Sequence, residues 1–83
     1  MDATFLKSRL ANAAEKGHAF TLLLRGAHTL TIERATVTQV SDGDSDETRF
    51  EIAGLIAADG GPAGQGRAFV SSGDIAALLV RDT

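Results

Sequence analysis

The spacing of apolar residues changes period at Gly17, and that change decides what kind of fold the chain can adopt. Before it, Ala3, Leu6, Leu10, Ala13 and Ala14 fall on one helical stripe. After it, Phe20, Leu22 and Leu24 alternate with Thr21, Leu23 and Arg25, which is the period of a strand. A helix followed only by strands, within 83 residues, leaves room for one mainly β domain. The expected organisation is a single domain over 1–83, with the helix at about residues 3–16 and a strand-rich body at about 18–82.

The helix carries its own punctuation. Asp2 or Thr4 supplies an oxygen for the N-cap, and Gly17, after Glu15 and Lys16, suits the left-handed residue that ends a helix. About four turns are marginal alone in water, so the apolar stripe is expected to lie on the strands.

Beyond the first strand, Gly26-Ala27-His28 makes a short connection, and Leu30 and Ile32 then alternate with Thr29, Thr31 and Glu33. Ala35 and Val37 continue the apolar set one residue late. Such a slip turns every later side chain to the other face, unless a β-bulge near Glu33 and Arg34 restores the register. Residues 41–48 are almost wholly polar and read as a solvated hairpin loop. Phe50, Ile52, Gly54, Ile56 and Ala58 mark another long strand, with Gly54 as its bend point. A glycine-rich loop from Asp59 to Gly66 leads to a short fourth strand at 67–71. Ser72-Gly73-Asp74 forms a tight turn, and Ile75 to Val80 is a last strand apolar on both faces.

Charge and composition exclude several function classes. The formal net charge is −3 at pH 7, and a pI of about 5.1 argues against a protein that coats phosphate backbones non-specifically. The acidity is local, because Asp42, Asp44, Asp46 and Glu47 cluster in one loop and the rest of the chain carries eight basic and seven acidic groups. No cysteine is present, which removes disulfides, thiolate metal sites and cysteine nucleophiles. A domain of this size buries only roughly 60–65% of the surface its unfolded chain exposes, so burial against a second copy is the expected supplement. Met1-Asp2-Ala3-Thr4 is not the basic start of a signal peptide, and the apolar runs are too short to span a membrane. A cytoplasmic location without membrane association is the resulting expectation.

The motifs that suggest chemistry dissolve on inspection. Asp42, Asp44 and Asp46 have the spacing that opens a calcium-binding EF-hand loop, but Glu47 stands where glycine is needed and Ala53 where the bidentate carboxylate belongs. Gly60-Gly61-Pro62-Ala63-Gly64-Gln65-Gly66 is glycine-rich like a phosphate loop, yet it lacks the Lys and Ser/Thr of that motif. His18, His28 and the serines show no pattern that assembles a nucleophile, a base and an orienting group. The expectation is a non-enzymatic protein with no catalytic residues, no metal site and no cofactor, and without a small-molecule ligand.

For nucleic acid, the useful tools are basic residues beside stacking aromatics. Phe5, Arg9 and Lys16 share a helix edge with Asn12, and Arg25 and Arg67 are further basic candidates for RNA contact. Phe20 and Phe50 belong to the core by their phase, and Phe69 belongs either there or at a subunit interface.

The order of elements resembles the Sm-like small β-barrel family, including its bacterial Hfq branch. Phe5-Leu6 with Leu10 matches the leucines of the Hfq helix. Phe20 to Gly26 resembles the first strand and its glycine turn, and Val70-Ser71-Ser72-Gly73-Asp74-Ile75 resembles the second Sm signature. The resemblance implies an N-terminal α-helix followed by a five-stranded, strongly bent antiparallel barrel, Sm-like or otherwise SH3-like. It also implies a homo-oligomeric ring in which the fourth strand of one subunit pairs with the last strand of the next, with Phe69, Ile75, Leu78 and Val80 at the interface. Ser72 replaces the arginine with which that family holds RNA, the Asp and Asn of the first signature have no counterpart around Thr36 to Ser41, and the Hfq Lys-His pair is absent. The functional expectation is therefore a self-associating binding or scaffold module. The alternatives are RNA binding through non-standard basic residues, and a small ligand-binding or hydrolytic domain.

Overall fold

The helical stripe forms α1, Ala3–Lys16, in a computed structural model that describes residues 3–40 and 48–81. Leu6, Leu10 and Ala13 are buried and Ala14 is half-buried, so one face of α1 lies on the sheet as its spacing requires. Helix termination is by two hydrogen bonds, from Gly17 N–H to Ala14 O and from His18 N–H to Ala13 O. This is the Schellman pattern, and it needs the left-handed φ of 71° at Gly17. Because the helix already includes Ala3, Thr4 is a helical residue and not the N-cap; the alternative, Asp2, lies outside the described residues.

Five strands follow: β1 Phe20–Leu24, β2 Thr29–Val40, β3 Arg49–Ala58, β4 Gly64–Ser71 and β5 Ile75–Val80, with a 3-10 turn at Ser72–Asp74 before the last. They form one antiparallel sheet in the order β4-β3-β2-β1-β5. Phe20 and Leu22 of β1, Ile32 of β2, Phe50 and Ile52 of β3, Val70 of β4 and Ile75 of β5 are buried together with the three helical residues. Burial of each large side chain contributes about 1.5–3 kcal/mol.

The phase slip in β2 is a bulge. Glu33 pairs with Leu55 and Thr36 with Ala53, so Arg34 and Ala35 together face Gly54. The extra residue returns Val37 to the same face as Ile32, where it pairs with the buried Ile52. Gly54 adopts φ 155°, and a Cβ there would lie 2.7 Å from the carbonyl oxygen of Glu33 and 3.0 Å from that of Arg34. Only glycine fits so close a backbone approach.

The sheet differs from expectation in two ways. β4 begins at Gly64, three residues before the predicted start at 67, because Gly64, Gln65 and Gly66 continue the ladder opposite Ile56, Leu55 and Gly54. A glycine-rich stretch reads as loop from its composition, yet here its backbone is claimed by the facing strand. The sheet is also not closed into a barrel: β4 and β5 are its two edges, with no pairing between them. What ties the β4 end to the rest is the 3-10 turn, where Ser72 N–H donates to Thr48 O at 2.8 Å and Thr48 N–H donates to the Ser72 hydroxyl oxygen at 3.1 Å. That reciprocal pair explains why Ser72 is buried.

Candidate interaction surfaces

Strand alternation divides the expected interface residues into two groups. Ile75 is 1% exposed and belongs to the chain's own core, opposite Leu24, and Leu78 packs partly against that core. Phe69 and Val80 are exposed. Phe69 is not a core residue: its neighbour Val70 faces inward against Phe50, so Phe69 must face outward, opposite Glu51, and is 73% exposed. On β5 the same parity leaves Leu79 66% exposed opposite Thr21. Each open edge of the sheet thus presents a large apolar side chain to solvent.

The outer face beside β5 is weakly polar. Leu79, Thr21, Thr31 and Ala57 line up across four strands, and the Thr21 and Thr31 hydroxyls are 3.0 Å apart. Leu23 is exposed next to this row. Charge enters this face at the exposed Glu33 of β2, opposite Leu55, and toward β4, where Arg67 forms a 3.2 Å ion pair with Glu51.

The residues expected to meet RNA are scattered. Phe5 and Arg9 come together on α1, with the Arg9 guanidinium 5.2 Å from the Phe5 ring centroid and Phe5 half exposed. Lys16 is exposed in the last turn of the same helix. Arg25 lies in the turn between β1 and β2, its backbone N–H donating to Asp74 O, and Arg67 is engaged with Glu51 on β4. These positions lie on three separate elements.

Of the two histidines, His28 has a carboxylate partner that no local spacing announces. Its Nδ1–H donates to Asp59 Oδ2 at 3.2 Å, while Thr29 N–H donates to Asp59 Oδ1 at 2.9 Å. Asp59 is 31 residues away in sequence from His28 and reaches it because β3 runs antiparallel to β2. The Thr29 N–H first, and His28 second, hold the Asp59 carboxyl below its ordinary value. His18 is half-buried beside the helix end. The acidic run Asp42, Asp44, Asp46 and Glu47 lies outside the described residues. Among the described residues, no three His, Asp or Glu side chains gather where they would hold a metal ion. No helix among them is long and apolar enough to cross a membrane.

One open cleft of about 250 Å³ lies where α1 passes to β1, lined by Gly17, Ala19, Glu33, Arg34 and Arg81. Set against protein-family models, curated proteins and solved structures, the chain matches none of them.

Proposed function

We propose that this chain is a non-enzymatic, self-associating module of the SH3-like or Sm-like small-barrel kind, which works as a binding or scaffold unit. The observation that carries this reading is β5, an edge strand of sequence Ile-Ala-Ala-Leu-Leu-Val without a charge or a proline. Monomeric proteins guard such edges with lysine, proline or a covering element, because a free row of N–H and C=O groups beside apolar side chains recruits another strand. The other edge, β4, carries the exposed Phe69. Two unlike edges on one sheet favour head-to-tail pairing, which generates a ring where the rotation closes.

The barrel reading is supported by strand order, by the bulge facing Gly54 and by the 3-10 turn that leads into β5. The non-enzymatic reading rests on the sequence, where no nucleophile, base and orienting group share a pattern. Light scattering of the intact protein at micromolar concentration tests the assignment. The expected mass is a multiple of 8.6 kDa, and a clean monomer overturns it.

A second reading, RNA binding by basic side chains, is favoured by the Phe5–Arg9 pair, an exposed aromatic ring with a guanidinium over it. It predicts steeply salt-dependent binding to short single-stranded RNA, weakened by Arg9→Ala. Absence of binding at low salt removes this reading.

A further inference from the structure

The cleft beside the β2 bulge is built from positions far apart in the chain. Gly17 and Ala19 come from the link between α1 and β1, Glu33 and Arg34 from the bulge, and Arg81 from the residue after β5. Arg81 is anchored by its backbone N–H, which donates to Ala19 O at 2.9 Å. Arg34 sits at φ 52°, in the left-handed region. Bulges of this kind ordinarily place glycine there, since a side chain at that φ costs about 1 kcal/mol or more. Here the strain is held by Gly54, whose missing Cβ lets the backbone of Glu33 and Arg34 approach.

Among the described residues, no carboxylate lies within ion-pair distance of Arg34 or Arg81. Arg34 and Arg81 therefore both line this cleft with no ion-pair partner among the described residues. Glu33 on its wall and the C-terminal end of α1 oppose a bare negative charge there. An anion must then gain directional hydrogen bonds as well as charge attraction. Phosphate oxygens suit two guanidinium forks at once, whereas a carboxylate's two oxygens are used up by one. A volume of about 250 Å³ is room enough for a phosphoryl group with a small substituent.

We propose that this cleft binds a phosphate group, free or in a small ester, between the guanidiniums of Arg34 and Arg81. Glu33 weakens that binding and confines it to ligands that engage both arginines. The site does not depend on self-association.

Amide NMR titration of the full chain tests it, with inorganic phosphate and glycerol 3-phosphate as probes and chloride as the ionic-strength control. Saturable shifts are expected at Gly17, Ala19, Arg34 and Arg81. Arg34→Gly fits the left-handed position, so it should keep or raise the thermal midpoint while weakening phosphate binding about tenfold, as should Arg81→Gln. Glu33→Gln should tighten it about threefold. Tighter binding of the ester assigns the group to an esterified ligand, and equal binding to free phosphate. The proposal is overturned if neither probe saturates at millimolar concentration, or if folded Arg34→Gly and Arg81→Gln bind unchanged.

Discussion

Asp59 ties two turns together from a left-handed backbone position, φ 50°, by accepting Thr29 N–H and His28 Nδ1–H. Because folding lowers its pKa from the ordinary 3.8, the carboxylate's contribution to stability is complete above that value. It is lost as pH falls through the lower folded value. Asp59→Asn tolerates the backbone but cannot ionise, so urea titrations should show wild type losing more stability than the variant between neutral pH and pH values below 3.8. Parallel pH profiles would show that the contact contributes nothing through its charge. At Gly54 the expected effect is steric. Gly54→Ala puts a methyl 2.7 Å from the Glu33 carbonyl oxygen, and a thermal melt should register a loss of about 1–3 kcal/mol. Neither site is fully visible in sequence: Gly54 can be picked out as a bend point, but its partner in the bulge and the His28–Asp59 contact depend on strand pairing.

Among the elements, α1 and the long strands are legible because their apolar periods are unambiguous and their ends carry turn chemistry. Ala3–Lys16 runs as the stripe predicts, and the slip between Ile32 and Ala35 marks the bulge before any pairing is known. β4 is less legible, because Gly64, Gln65 and Gly66 have no strand preference of their own and are ordered by β3. The outward direction of Phe69 is hidden for the same reason: only the inward Val70, paired with Phe50, fixes the parity. The cleft at Arg34 and Arg81 draws on three separated segments and leaves no local signature. The helix contributes to the fold mainly through what it covers. Leu10 is fully buried, so Leu10→Ala should cost about 2–5 kcal/mol, read from denaturant midpoints at unchanged m-value. A smaller loss would mean that α1 is dispensable to the core.

At the scale of the whole molecule, 83 residues with both sheet edges open give a thin margin, since native domains are held by only about 5–15 kcal/mol. Association that engages only the native state adds to that margin by mass action. If β5 is the edge that recruits a second copy, stability must depend on protein concentration. The thermal midpoint should rise by at least about 5 °C over a roughly hundredfold increase in concentration. Leu79 is the side chain to change, because it is largely exposed and its replacement leaves the chain's own core untouched. Leu79→Lys places a charge on the edge, where pairing would desolvate it, and should yield a folded monomer whose midpoint no longer moves with concentration. At high dilution the variant and the wild type should melt within about 0.5 kcal/mol of each other, as expected for a surface substitution. A wild-type midpoint that stays fixed with concentration, or a Leu79→Lys variant that associates as wild type does, would show that β5 is not the recruiting edge.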